Sequence, residues 1–292
     1  MGRLAVIAAA GLLSLGAPAL GETPTLLVGA LLAPVAPAPP ALPALVPPPP
    51  PVLTDAQAGQ EAGRIATALR AEVPAAVVTS VWRRQRMVEL ARAALDQAGR
   101  MITRPQLLVV VDRNPSVQLM QLVLALPDGP WSAIGGTRVS TGQSGRKFYY
   151  ITPTGVFENS DAILGYRAQG TFNEHHIRGN GLKGMRVWDF GWHDAVKGWR
   201  ADRETGAIRL EVHATDPEFL ERRLGRPASE GCIRIPAAMN RFLDVHGVLD
   251  VDDERAAAVD IRFRALLLPD RRQTPLAGKL LVVVDSADAA KA

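Results

Sequence analysis

Cys232 is the one cysteine in this chain of 292 residues, and it stands in the stretch ASEGCIRIP, residues 228–236. A thiol attacks as its thiolate, so a pKa ordinarily near about 8.5 must be lowered by a base or a positive charge close by. His213 is the candidate base, at the end of the alternating segment Ala207–Ala214. Arg234 sets a fixed cation two residues after the thiol, suited to a substrate carboxylate or to lowering the thiol pKa. Gly231 frees the backbone just before Cys232, so that amide N–H groups can face a developing oxyanion. Glu230 is the discordant neighbour: an ionised carboxylate there repels a thiolate, unless it orients His213 or faces solvent. A pair activated in this way predicts alkylation of Cys232 faster than that of a free cysteine at neutral pH.

Other motifs carry less chemistry. GNGLKG, residues 179–184, has dinucleotide-loop spacing, but no apolar strand precedes it, so it reads as a flexible loop. Glu174, His175 and His176 lack the helical spacing or cysteine cluster of a zinc site, and no metal or cofactor is expected. Ser229 has Pro227 where a nucleophile elbow needs its first glycine, which argues against a serine hydrolase.

These side chains need a scaffold. Hydrophobic residues make up 47% of the chain and charged residues 21%, enough apolar surface for a real core. A net charge of +4 suits an acidic polymer without selecting one, and the lack of a dense basic run interleaved with aromatics favours a solvated basic surface over nucleic acid as partner. At the start, Arg3, the apolar run Leu4–Leu15 and the small residues Gly16–Ala19 have the order of a secretory signal, assigned to residues 1–21. That core is shorter than the roughly 20 residues of a membrane span, so no stable anchor is expected once the signal is cleaved, with an uncleaved anchor as the alternative. The expected location is the periplasm or cell envelope. A lone thiol in an exported chain is then a reactive group, an intermolecular partner or a buried small hydrophobe.

Residues 22–53 read as a proline-rich, semi-rigid linker. Residues 54–103 carry two helical patterns, Ala58, Ala62, Ile65, Ala66 and Leu69 in the first and Met87, Leu90, Ala91, Ala94 and Ala98 in the second. Thr54 or Asp55 caps the first and Gly99 stops the second, and together they read as an appended helical hairpin. From residue 104 to 286 the texture is that of short strands: Gln106–Asp112, Val117–Leu126, a stretch ending at Ser140, Ala207–Ala214, Val259–Leu267 and Lys279–Asp285. The fold class is therefore β-rich with helical additions, a sandwich or barrel-type sheet system, with residues 287–292 as a tail. Gly179–Trp199, with Trp188, Trp192 and Trp199, is the candidate loop over a groove.

His213, fifteen intervening residues and then Ser229-Glu230-Gly231-Cys232-Ile233-Arg234-Ile235 resemble the motif of the L,D-transpeptidase (YkuD) family. Val139–Gly142 (VSTG), followed by Thr152–Gly155 (TPTG), resembles that family's upstream strand–turn–strand segment. The resemblance covers about residues 106–285. It implies a YkuD-like catalytic domain acting on peptidoglycan stem peptides. Cys232 would form a thioester and release D-alanine, with His213 as general base and backbone amides at Gly231 and Cys232 holding the oxyanion. Arg234, Ser229 and Thr215 would contact substrate, and Trp192 is a further candidate. An acceptor amine would resolve the thioester as a cross-link.

Two departures stand out: Glu230 replaces the family's second histidine, and Ala214 a glycine. The alternatives are an L,D-carboxypeptidase, protein-to-wall attachment at the same site, and a non-catalytic wall-binding homologue.

Overall fold

Capping chemistry fixes where the first helix begins. Thr54 Oγ1 accepts from the Gln57 amide at 3.3 Å, and Gln57 Oε1 accepts from the Thr54 amide at 3.0 Å. This reciprocal box opens α1 (Asp55–Glu72), which ends just before Pro74. The computed structural model describes residues 49–287. The segment expected to be a secretory signal, nearly all of the expected proline-rich linker and all but the first residue of the expected tail lie outside the described residues.

A two-residue strand, β1 (Ala76–Val77), leads to α2 (Val81–Gln97), capped by Ser80. The strands β2 (Gln106–Asp112), β3 (Leu119–Ala125) and β4 (Ser132–Arg138) follow as an antiparallel run. Next come β5 (Gly155–Glu158), β6 (Tyr166–Arg167), β7 (Arg186–Val196), β8 (Thr205–Ala214) and β9 (Ile233–Ile235). Three short helices, α3 (Ala237–Val245), α4 (Val251–Ala257) and α5 (Ile261–Leu266), precede β10 (Leu280–Val284). One sheet has the order β1-β4-β3-β2-β10-β5, the other β6-β7-β8-β9, and each mixes parallel and antiparallel pairs. The protein is β-rich, and its two sheets share one core: Leu107, Val109 and Leu281 of the first pack in the same cluster as Trp188, Leu210, Val212 and Ile233 of the second.

The helices correct the expectation of an appended hairpin. Ala58, Ala62, Ile65 and Leu69 of α1 join Leu107, Val109 and Val111, whereas Met87, Ala91 and Leu95 of α2 join Leu108 and Val110. Successive side chains of a strand point to opposite faces, so the two helices cover opposite faces of one sheet. The reason lies in β2 itself, whose residues are buried throughout. A strand apolar on both faces needs a layer on each side.

Two further expectations change. Val259–Leu267, read as a strand from its alternation, contains α5. Asp260 accepts from the Arg262 amide at 2.8 Å, and the buried Phe263 and Leu266 are three residues apart, which is a helical spacing. Gly179–Trp199 is not a covering loop: after a turn it becomes β7, which pairs along most of its length with β8. Trp188 is buried and donates its indole N–H to Asp250 at 2.7 Å.

A buried ion network anchors this second sheet to the helices. Arg186 meets Asp253 at 2.5 Å, Arg271 meets Asp250 at 2.9 Å, and Arg167 meets Asp244 at 2.8 Å. Removing one partner from such a network costs about 3–5 kcal/mol, because the other charge stays buried and unpaired.

Candidate active site

Along β8, Leu210 and Val212 enter the core, so the two-residue period places Arg209, Glu211 and His213 on the opposite face. Pairing then brings other strands to that face. Asp189 of β7 lies opposite Glu211, and Trp192 opposite Arg209, across a bulge at Phe190 and Gly191. Arg234 of β9 lies opposite His213. Cys232, one residue before β9, completes the group: its Sγ, a ring nitrogen of His213 and a carboxylate oxygen of Glu211 all lie within 4.8 Å of one another.

The turn that carries Cys232 is braced by the two upstream motifs. Thr152 Oγ1 donates to the Gly231 carbonyl at 2.6 Å and accepts from the Gly142 amide at 2.8 Å. The amides of Ala228 and Ser229 both donate to the Thr141 carbonyl at 3.0 Å, and the Tyr150 amide donates to the Glu230 carbonyl at 3.1 Å. Ser140 and Arg234 exchange backbone bonds at 3.0 and 2.9 Å. No side chain could replace Gly142, because a Cβ there would lie 1.9 Å from the Tyr150 carbonyl oxygen. Thus the neighbouring motifs VSTG and TPTG and the distant SEGC form one hydrogen-bonded unit.

His213 is buried, and its Nδ1 lies 2.7 Å from the Ala214 carbonyl. A carbonyl only accepts, so Nδ1 carries the proton and Nε2 keeps the free lone pair of a base. Burial, helped by the charge of Arg234, lowers the pKa of His213 to about 4, partly offset by the Ala214 carbonyl. Cys232 is half-buried, and its thiol lies 3.5 Å from the Arg209 carbonyl. Burial first and Glu211 second push the thiol up to about 12. The Glu211 amide and Arg234 pull it down, and Glu230 makes the smallest upward contribution. The resting pair is therefore neutral thiol and neutral imidazole. This reverses the expectation of a thiol activated at rest, and it makes Glu211, not Glu230, the carboxylate that matters to Cys232.

Glu211 was not singled out from the sequence, although the alternation of Ala207–Ala214 already set it on the face of His213. It accepts from Tyr166 Oη at 3.0 Å, and that hydroxyl accepts from Asn180 Nδ2 at 3.0 Å. Burial raises the pKa of Glu211 and Asp189 adds to this, while Tyr166 and Arg209 oppose it. Arg209 is itself paired with Asp189 at 2.5 Å.

The remaining expected residues fall as follows. Ser229 is buried, accepts from the Gly231 amide at 3.2 Å and donates to the Cys232 carbonyl at 2.5 Å. Its hydroxyl thus shapes the turn, and the Gly231 N–H assigned to the oxyanion is already engaged. Thr215 is fully buried, with no partner for Oγ1 among the described residues. Arg234 donates from Nη1 to the Ala228 carbonyl at 3.0 Å, while its buried Nε has no partner among the described residues. Glu230 is exposed. Trp192 is 66% exposed and flanks Arg209 at the open end of the face. Trp199 packs edge-on against Tyr150 at 5.2 Å. Glu174 and His175 are exposed, and His193 lies against the Phe190 carbonyl. No family model matches the chain, and a search among curated proteins finds no similar sequence.

Proposed function

We infer that this chain is an exported cysteine acyltransferase of the L,D-transpeptidase (YkuD) type, acting on peptidoglycan stem peptides. The observation that carries the reading is the convergence of three motifs on one turn, with His213 Nδ1 tied to a carbonyl and its ring beside Cys232 Sγ.

In this reading His213 Nε2 takes the thiol proton as Sγ attacks the carbonyl that precedes the terminal D-alanine. Proton transfer and attack coincide, because neither member of the pair is charged at rest. Arg234, whose Nε–H has no partner among the described residues, supplies positive charge to the developing oxyanion. The C–N bond breaks, His213 returns its proton to the leaving amine, and a thioester remains on Cys232. An acceptor amine then forms the new amide and restores the thiol; water in its place makes the enzyme a carboxypeptidase. The described fold, two mixed sheets around a shared core, is compatible with this catalytic domain.

The deciding assay is D-alanine release from tetrapeptide stems. Cys232→Ala abolishes it, and release that persists in that variant overturns the reading. A carbapenem adds its mass to the peptide containing Cys232. Wall binding with no release and no adduct in the native chain would favour the non-catalytic homologue.

A further inference from the structure

Glu211 poses a problem for any thiol chemistry here. Among the described residues its side chain forms no ion pair, its hydrogen bond is to the neutral Tyr166, and the adjacent cation, Arg209, is held by Asp189. It is nonetheless held beside the nucleophile by a Tyr166–Asn180 chain. A carboxylate fixed in that position without a cationic partner is complementary to a cation brought by a ligand.

We propose that Glu211 is the receptor for the acceptor amine, binding it as an ammonium and taking its first proton before it attacks the acyl group on Cys232. This deepens the acyltransferase reading and rests on Cys232 acting as an acyl carrier. The position fits the role, since the Glu211 carboxylate lies within 4.8 Å of both Sγ and the His213 ring. A nitrogen held there can reach the thioester carbonyl and the base together. Trp192, exposed at the open end of the same face, offers an aromatic wall to the acceptor's cationic arm. The charged and titratable groups around Glu211 are Tyr166 from β6, Asp189 from β7, Arg209 and His213 from β8, and Cys232 and Arg234 at β9.

The step balances. The ammonium gives one proton to the Glu211 carboxylate, and the free amine nitrogen bonds to the acyl carbon. The carbon–sulfur bond breaks, and the second amine proton passes through His213 to the Cys232 sulfur. Glu211 then loses its proton to solvent. Burial of Glu211 raises its proton affinity in the direction this transfer needs. Binding of the ammonium also removes the repulsion that Glu211 exerts on a thiolate.

The test uses two small nucleophiles, glycinamide, which is mostly an ammonium at neutral pH, and hydroxylamine, which is mostly neutral. Cys232 is first acylated with an N-acetylglycine thioester, and the rate of acyl transfer to each nucleophile is measured. Glu211→Gln should lower the glycinamide-to-hydroxylamine rate ratio about tenfold or more, the equivalent of one pKa unit of lost interaction. Glu211→Asp should restore part of it, which a merely structural role would not do. As a second measurement, glycinamide should accelerate alkylation of Cys232 by iodoacetamide in the native chain and not in Glu211→Gln. An unchanged ratio in Glu211→Gln, or alkylation indifferent to glycinamide in the native chain, overturns the proposal. Failure of the native chain to form any thioester would instead remove the acyl-carrier reading, and the alkylation measurement still decides whether Glu211 receives an amine.

Discussion

Thr152 Oγ1 and the Gly231 carbonyl oxygen, 79 positions apart in the chain, meet at 2.6 Å, and the same hydroxyl accepts from the Gly142 amide. One side chain therefore fixes the backbone before Cys232 to the strand–turn segment that supports it. Thr152→Val keeps the shape and leaves two buried polar groups without this partner, at about 1–3 kcal/mol each. Denaturant unfolding should show a loss of about 2–6 kcal/mol, and Thr152→Ser should recover most of it. A valine variant as stable as the native chain would show that the clamp contributes nothing.

The thiol should be slow to alkylate at neutral pH. With its pKa pushed up to about 12, the thiolate fraction and the alkylation rate rise as pH increases toward that value. Glu211→Gln should move the profile to lower pH, and by more than Glu230→Gln does, because Glu211 is the larger of the two acidic influences. A greater shift from Glu230→Gln would reverse this ranking.

Stability between acid and neutral pH should reflect two opposing groups. His213 has a folded pKa of about 4 against an ordinary 6.5, so the folded state binds fewer protons than the unfolded chain within that window. Its contribution is present above pH 6.5 and is lost as pH falls toward 4, by up to about 3 kcal/mol. Asp253 is raised to about 7 by burial and by Asp250. Its folded state binds extra protons above the ordinary 3.8, so its contribution fades as pH rises toward 7. Thermal unfolding across this range should lose acid sensitivity in His213→Gln, while in Asp253→Asn, whatever its overall loss of stability, the decline from acid toward neutral pH should flatten. The same pH slope in all three proteins would contradict both assignments.

Gly231 has φ of +140°, and a Cβ on it would stand 2.9 Å from Ile208 Cδ1. An L side chain is strained in that backbone region whatever space is available, at about 1–3 kcal/mol. Gly231→Ala should lower the melting temperature and shift the turn that carries Cys232. Thiol alkylation at fixed pH reads this displacement. A native melting temperature with a native alkylation rate would mean the turn tolerates a side chain.

Much of the scaffold was legible because local rules govern it. Thr54 and Ser80 open their helices as their side chains allow, and Gln106–Asp112 and Leu280–Val284 are strands as their β-branched runs suggest. Val259–Leu267 misled because V-D-I-R-F-R alternates, while Phe263 and Leu266 also satisfy a helix and Asp260 supplies its cap. Arg186–Val196 was missed because its glycine and tryptophans suggested a loop, whereas pairing with β8 and burial of Trp188 make it a strand.

For the candidate site, the sequence by itself determined the residue types: one thiol, a histidine at the end of a strand, a glycine before the thiol and an arginine after it. It also determined, through the two-residue period of β8, that Glu211 must share the face of His213. Only the tertiary structure decided which groups are near and how they are charged. Glu230 stands only two positions before Cys232 in the chain yet is exposed, so solvent weakens its effect. Glu211, 21 positions before Cys232, is brought within 4.8 Å of the thiol by the pairing of β8 with β9 and is half-buried, where a charge acts more strongly. Electrostatic influence follows distance and dielectric surroundings, and neither can be read from adjacency along the chain.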